Sequence, residues 1–178
     1  MKTLVIFDFD DTLFESESQV VVRSPRRGTT YLTSGEYASF IPEDDDELDF
    51  SQFEGYPSSP KPIRETITRL RQAVAKYGID NVIILTARGQ SKPIVDVLRD
   101  FNLPQIFIAA VGSSNPAMKA NYVVRTLQEE TYGKVIVYED NVKNIAAIRD
   151  AVVPILGMKG FVAYNVRQGI DGHSLIKH

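Results

Sequence analysis

The sequence predicts an α/β fold in which helices cover a mostly parallel sheet of five strands. Short runs of almost continuous apolar residues recur along the chain, as in strands that are buried on both faces. Stripes of apolar residues with helical spacing lie between these runs. Strands that alternate with helices favour parallel pairing with right-handed crossovers. The predicted strands are residues 4–7, 82–85, 106–110, 135–138 and 161–164.

Four helices are predicted between these strands. Each apolar stripe has a proline or a capping residue near its start, or a glycine or proline near its end, where these residues favour helix termini. The predicted helices are residues 63–77 before Gly78, a segment from Ser91 to about Phe101 with Pro93 in its first turn, a segment from Asn115 that ends before Gly133, and a segment from near Asn141 that ends before Pro154.

One stretch, residues 15–60, interrupts the alternation. Residues 19–23 and 29–32 are β-prone and flank a turn containing proline and glycine, which predicts a hairpin. Thr33 and Glu36 have the spacing of a capping box, which predicts a short helix. A structureless loop of this length is improbable in a compact domain, so we expect a small inserted cap or flap. The remaining core comprises residues 1–14 and 61–178.

Composition excludes several classes of protein. With 43% hydrophobic and 24% charged residues, the chain has the composition of a soluble globular domain. Its net charge of −3 predicts no stable binding to duplex nucleic acid and no membrane partner. The absence of cysteine excludes disulfides and cysteine zinc sites and fits a cytoplasmic location. No signal peptide or membrane span is recognised, and a monomer or homodimer is expected.

Polar residues follow the predicted strands at their carboxyl ends, where open parallel sheets bind ligands. They form an acidic cluster with hydroxyl groups and cations. Several neighbouring carboxylates need a cation to offset their charge, and oxygen ligands without Cys or His suit Mg²⁺. The residues are Asp8, Asp10 and Thr12 after the first strand, Thr86 and Arg88 after the second, Lys119 in the third helix, and Glu139 and Asp140 after the fourth strand, with Asn144 one turn further on.

This set of residues suits the chemistry of a phosphoryl group. Thr86, Lys119 and a magnesium ion would surround its equatorial oxygens and stabilise their charge. An aspartate held in line could attack phosphorus and form an aspartyl-phosphate. A second carboxylate two residues along the chain could protonate the leaving oxygen and later deprotonate the attacking water.

The segment Asp8-Phe9-Asp10-Asp11-Thr12 resembles the DxDxT signature of the haloacid dehalogenase (HAD) superfamily of phosphohydrolases. Thr86, Lys119 and the pair Glu139-Asp140 agree with the later motifs in order and spacing. The resemblance covers essentially the whole chain except residues 15–60. It implies a Rossmann-like three-layer sandwich, a Mg²⁺ cofactor and a phosphatase that acts through an aspartyl-phosphate.

The resemblance also implies individual roles. Asp8 would be the nucleophile and a metal ligand, and Asp10 the general acid and base, with its backbone carbonyl on the metal. Thr12 would shape the loop, Thr86 would bind a phosphate oxygen, and Lys119 would hold the phosphate and Asp8. Asp140 is favoured as the direct metal ligand, with Glu139 acting directly or through water. The aspartate at position 10 favours phosphatase over dehalogenase chemistry.

The inserted residues 15–60 fall where this family places its first type of cap, and a short cap leaves the site open to larger substrates or to a cap from a partner subunit. The Thr86-Ala87-Arg88 sequence, with Lys119 and Asp140, resembles the phosphatase domains of nucleic-acid end-repair enzymes and some phage-encoded relatives. The expected substrate is a small phosphorylated molecule such as a nucleotide, or a 3′-phosphorylated nucleic-acid end.

Other functions remain open at this stage. A phosphotransferase would share the covalent step and differ only in the acceptor. A phospho-receiver domain uses similar residues, but its phosphoacceptor follows the third strand and its lysine the fifth. A binding protein on a retained phosphatase scaffold is a third alternative, which the complete set of site residues disfavours.

Some residues have two interpretations. Arg88 contacts phosphate or faces solvent, and Asn144 is favoured as a surface residue of its helix. The hairpin arginines Arg23, Arg26 and Arg27 are favoured as surface charge over contacts to an anionic substrate.

The acidic residues 43–47 are favoured as a solvated loop over a calcium site. Tyr31, Tyr37 and Phe40 are favoured as packing residues over base-stacking ones. His173 and His178 are expected in a surface or disordered tail. Asp11 has no assigned role.

Overall fold

The computed structural model describes all 178 residues. Its main sheet has six strands rather than the five predicted. In chain order the elements are β1 (Lys2–Phe7), β2 (Phe14–Glu15), β3 (Gln19–Ser24), β4 (Gly28–Thr33), α1 (Ser34–Ser39), β5 (Glu47–Asp49), β6 (Lys61–Pro62), α2 (Arg64–Tyr77), β7 (Val82–Thr86), α3 (Lys92–Asp100), β8 (Phe107–Ala110), α4 (Pro116–Glu129), β9 (Tyr132–Glu139), α5 (Val142–Leu156), β10 (Phe161–Gly169) and β11 (Gly172–Lys177).

The strand order of the main sheet is β11-β10-β9-β1-β7-β8. Five strands of this sheet run parallel to one another, as predicted: β1, β7, β8, β9 and β10. The sixth strand, β11, pairs antiparallel with β10. The chain moves outward from β1 through β7 to β8 and then returns to the other side of β1 at β9. The connections therefore reverse direction beside the central strand, which is where such sheets bind ligands.

The two faces of the sheet carry separate apolar cores. Val5 and Phe7 of β1 pack with residues of α2 and α3, such as Leu70 and Val97. Their neighbours along the strand, including Ile6, pack on the opposite face with α4 and α5. Successive strand residues point to opposite faces, so an apolar run such as β1 can bury both. The result is a three-layer arrangement of helices, sheet and helices.

Two features of the core differ from the sequence-based expectations. The polar tail expected around His173 is instead strand β11, with Leu175 packed against one core and the ring of His173 within 3.0 Å of the Glu15 carboxylate. His178 follows β11 and is exposed, as expected. The fourth predicted helix, α5, continues through Pro154 to Leu156. Proline forgoes only one backbone hydrogen bond there, and Gly157 ends the helix with φ at +76°.

Residues 15–60, called the insertion below, contain the predicted hairpin and short helix. Strand β3 lies between β4 and β5 in a small antiparallel sheet. Thr33 and Glu36 form both bonds of a capping box at the start of α1. The short strands β2 and β6 pair where the chain enters and leaves the insertion, so its two ends are held together against the core.

The charged residues of the insertion pair with one another, as expected of surface charge. Arg23 donates to Asp49 at 3.1 Å, and Arg27 pairs with Asp46 while its guanidinium lies over the Phe40 ring. Arg26 lies 3.7 Å from Asp45. The hairpin arginines thus offset the acidic loop beside them.

No helix in the protein has the length and apolarity that a membrane crossing requires.

Candidate functional site

The carboxyl ends of β1, β7 and β9 bring the predicted site residues together. The Asp8 backbone N–H donates to the Tyr138 carbonyl at 2.9 Å, which continues the β1–β9 pairing one residue past the strand. This bond places Asp8 beside Glu139, although the two are far apart in sequence. Lys119 reaches the same point from the first turns of α4.

A buried ion-pair network joins these three residues. The Lys119 ammonium donates to Asp8 Oδ1 at 2.8 Å and to Glu139 Oε2 at 2.7 Å. Burial alone would lower the pKa of Lys119, but the carboxylates of Asp8 and Glu139 raise it above its usual range, so the group stays charged. Burial and the charge of Glu139 raise the pKa of Asp8, and Lys119 partly offsets this effect.

Asp8, Glu139 and Asp140 form a carboxylate cluster in which one oxygen of each residue lies within 4.8 Å of the others. One ammonium group cannot neutralise three carboxylates, and burial with the charges of Glu139 and Asp8 raises the pKa of Asp140 well above its usual value. An all-oxygen donor set with excess negative charge suits a hard divalent cation such as Mg²⁺. The residues present therefore fit the expected metal.

The two acidic residues of the last motif have different numbers of partners. Glu139 uses both carboxylate oxygens, one toward Lys119 and the other as acceptor from the Asn141 N–H at 3.1 Å. The Asp140 carboxylate accepts one hydrogen bond, from the Thr12 hydroxyl at 3.3 Å, and otherwise faces the carboxylates of Asp8 and Glu139. Asp140 thus has the more available oxygens for direct ligation, in line with the sequence-based preference.

Thr12 and its loop connect the two ends of the carboxylate cluster. The Thr12 hydroxyl lies 3.2 Å from Asp8 Oδ2 and accepts from the Asp140 N–H at 3.1 Å. Thr66 of α2 in turn donates its hydroxyl to the Thr12 carbonyl. These contacts hold the β1 loop against the β9 loop, as the loop-shaping role of Thr12 requires.

Arg88 does not face solvent, and its guanidinium donates to acceptors of the protein itself. Its Nε and Nη2 donate to the two oxygens of Asp10 at 2.9 and 2.8 Å, and Nη1 donates to the carbonyls of Phe53 and Gly55 at 3.0 and 3.1 Å. The guanidinium also lies between the rings of Phe9 and Phe53. Arg88 thus connects Asp10 to the insertion, and its expected contact to phosphate stays a prediction.

Asp10 and Thr86 differ in their access to ligand. Asp10 lines a cavity of about 640 Å³ together with Asp8, Lys119, Glu139 and Asp140. Burial raises the pKa of Asp10, and the bonds from Arg88 partly offset that shift. Thr86 is completely buried and does not line the cavity, and its hydroxyl accepts from the Arg88 N–H at 3.2 Å. A phosphate contact by Thr86 would need its side chain to become accessible.

Asn144 and Asn165 are closer to the site than the sequence analysis indicates. Asn144 was expected on the helix surface but is buried and lines the cavity. Asn165 was not singled out, yet its side-chain amide donates to the carbonyls of Glu139 and Asp140 at 3.1 and 2.8 Å. Asn165 directly follows the fifth predicted strand, so the strand-end rule could have identified it. Thr66 and the carbonyls of Phe53 and Gly55 have no comparable sequence signal.

The comparisons give no assignment of family. No protein-family model, no curated protein and no solved structure matches the chain significantly.

Proposed function

We propose that the protein is a Mg²⁺-dependent phosphomonoester hydrolase of the HAD type that acts through an aspartyl-phosphate on Asp8. The carrying observation is the position of Asp8, a buried carboxylate held by Lys119 beside Glu139 and Asp140, in the same cavity as Asp10. The resemblance of the sequence motifs to that superfamily supports the same conclusion.

In the first half-reaction an oxygen of Asp8 forms a bond to phosphorus while the bond from phosphorus to the leaving oxygen breaks. Lys119 favours the ionised form of Asp8 and offsets negative charge as the phosphoryl group approaches. Asp10 donates a proton to the leaving oxygen. A magnesium ion held by Asp8 and Asp140 would supply the further positive charge that draws phosphoryl oxygens to the carboxylate cluster.

In the second half-reaction Asp10 takes a proton from water, and the water oxygen bonds to phosphorus. The bond between phosphorus and Asp8 breaks, which releases inorganic phosphate and restores the carboxylate. Asp10 must therefore alternate between its acid and base forms. Burial favours its protonated form and Arg88 favours its carboxylate, so the two opposing influences suit this double role.

The leaving group is proposed to be that of a nucleotide or a 3′-phosphorylated nucleic-acid end. The resemblance of the Thr86-Ala87-Arg88 segment to end-repair phosphatases supports the nucleic-acid end. The cavity beside Asp8 is open to solvent and is bordered by the insertion, so a substrate larger than its phosphoryl group can enter.

The first test compares Asp8→Asn with the unmodified protein on p-nitrophenyl phosphate in Mg²⁺. The amide keeps the shape of the side chain but removes the nucleophile, so turnover should fall by several orders of magnitude. EDTA should abolish turnover as well, and fresh Mg²⁺ should restore it. Asp96→Asn, a partly exposed carboxylate on α3 outside the cavity, is the matched control and should retain activity.

Full activity of Asp8→Asn would reject the proposal. A stable acyl phosphate on Asp8 without release of inorganic phosphate would instead favour a phospho-receiver. Transfer of the phosphoryl group to an added alcohol in preference to water would favour the phosphotransferase alternative.

A further inference from the structure

The insertion contributes four aromatic side chains to the cavity that contains Asp8. Tyr37, Phe40, Phe50 and Phe53, here called the aromatic wall, line the cavity together with the carboxylate cluster. None of these rings is fully buried, and Phe50 is 36% exposed. Aromatic rings that remain accessible beside a polar site indicate a ligand with an apolar, planar part.

Neighbouring side chains hold these rings in place. The rings of Tyr37 and Phe50 meet edge to face, with centroids 5.2 Å apart. The Arg27 guanidinium lies 5.4 Å from the centroid of the Phe40 ring, and Arg27 is itself paired with Asp46. Rings that are already ordered lose little entropy on binding, so the aromatic wall is suited to stacking.

The aromatic wall lies on the side of the leaving group. Arg88 binds the Asp10 carboxylate at 2.8 and 2.9 Å, and its guanidinium carbon is 5.2 Å from the centroid of the Phe53 ring. In the proposed function Asp10 protonates the leaving oxygen. A group attached to that oxygen is therefore directed toward the insertion.

The cavity has enough cationic side chains to bind one phosphoryl group only. Its lining contains three cationic residues, Arg88, Lys119 and Lys143. Arg88 is paired with Asp10, and Lys119 is paired with Asp8 and Glu139. Lys143 remains without a carboxylate partner, and Glu54 adds a negative charge to the lining. A polynucleotide needs a continuous basic track for its backbone, which this lining lacks.

We propose that the aromatic wall binds the base of a nucleoside monophosphate whose phosphoryl group lies against Asp8. This inference rests on the proposed function and narrows its substrate class to the mononucleotide. The cavity volume of about 640 Å³ is within the usual range for ligands of this size. Stacking on such rings should favour a substrate with a base over one without it by about 10-fold to 100-fold.

The experiment removes the base from the substrate and the ring from the protein. The kcat/KM values for adenosine 5′- and 3′-monophosphate are each divided by the value for ribose 5-phosphate. The better nucleotide should exceed the sugar phosphate by about 10-fold or more. Phe50→Ala should bring this ratio close to one, and Phe50→Tyr should restore it because the ring is retained. Tyr31→Ala removes an exposed ring of the same insertion outside the cavity and should leave the ratio unchanged.

The outcomes separate this inference from the proposed function. A ratio near one in the unmodified protein, or a ratio that Phe50→Ala does not lower, would overturn the inference while hydrolysis of ribose 5-phosphate still supports a phosphatase. A 3′-phosphorylated decanucleotide hydrolysed more efficiently than either mononucleotide would also overturn it, in favour of a nucleic-acid end. Absence of turnover on every substrate, including p-nitrophenyl phosphate, would overturn both proposals.

Discussion

At the scale of single residues, Asp11 shows how one aspartate of the motif can serve the backbone rather than the chemistry. Its φ of +58° lies in the left-handed region, and its carboxylate accepts a bond from the Ser34 hydroxyl of α1. Among non-glycine residues, asparagine and aspartate adopt this conformation most readily. Asp11 therefore turns the loop between Asp10 and Thr12 and ties it to the insertion.

We predict that Asp11→Asn keeps both activity and stability, because its amide oxygen can accept the Ser34 bond and asparagine tolerates the positive φ. Asp11→Val should lose about 1–2 kcal/mol of stability from backbone strain, besides the Ser34 bond. Thermal unfolding and p-nitrophenyl phosphate turnover measure the two effects. Inactivation of Asp11→Asn as complete as that of Asp8→Asn would contradict this division of roles.

Arg88 provides a second prediction, because its two interpretations differ in the effect of a lysine. A lysine keeps the charge but cannot donate to both Asp10 oxygens and to the carbonyls of Phe53 and Gly55 at once. If Arg88 positions Asp10, Arg88→Lys should lower kcat by roughly 10-fold to 100-fold with little change in KM. If Arg88 bound phosphate, lysine would largely replace it, and the substitution would raise KM rather than lower kcat. Steady-state kinetics on p-nitrophenyl phosphate distinguish the two cases, with Arg99→Lys on the surface of α3 as control.

At the scale of elements, the protein has two groups of three carboxylates with different surroundings. Asp8, Glu139 and Asp140 lie at strand ends, and one lysine pairs with the first two of them. Glu43, Asp45 and Asp46 instead lie in the loop of the insertion beside Arg26 and Arg27. Paired carboxylates in a solvated loop have little need of a metal, since arginine already offsets their charge. The strand-end cluster has the larger unbalanced charge in a buried setting.

We therefore predict one Mg²⁺ per chain. Calorimetric titration should give a single site that Asp140→Asn weakens severely and Asp45→Asn leaves intact. The two variants remove one charge each, so a general effect of net charge is controlled. A second site of similar affinity, or a loss of binding in Asp45→Asn alone, would show that the insertion holds the metal.

The elements also show what sequence reasoning could reach. Buried strands appear in a sequence as runs of apolar residues, so β1, β7, β8, β9 and β10 were predictable. Because parallel strands end at the same edge of the sheet, the residues that follow them, including Asp8 and Glu139, could then be expected to lie together. Strand β11 is an edge strand in which no residue is fully buried, and only its pairing with β10 reveals it. The role of Arg88 depends on carbonyls of the insertion, which any residue could provide, so no sequence pattern marks it.

At the scale of the whole molecule, the fold brings buried carboxyl groups together at one point, although the net charge of the chain is only −3. Burial raises the pKa values of Asp8, Asp10, Asp11 and Asp140 in the metal-free protein. A carboxyl group whose folded pKa is raised contributes stability below its unfolded pKa of about 4, and this contribution is lost as the pH rises through the folded value. Asp49, whose pKa the bonds from Ser51 and Arg23 lower to about 2, contributes stability above about pH 4 that is lost only in more acidic solution.

This charge distribution predicts opposite pH dependences with and without metal. In EDTA, the cluster should make the melting temperature fall as the pH rises from about 5 to 8. Magnesium binds the deprotonated carboxylates, so its stabilising effect should grow over the same range and reach roughly 5–10 °C at a hundredfold excess over Kd. Asp140→Asn should flatten both trends, which separates the cluster from the other titrating groups of the protein. Thermal unfolding at several pH values measures this, and a magnesium effect of equal size at pH 5 and pH 8 would contradict a metal site built from these buried carboxylates.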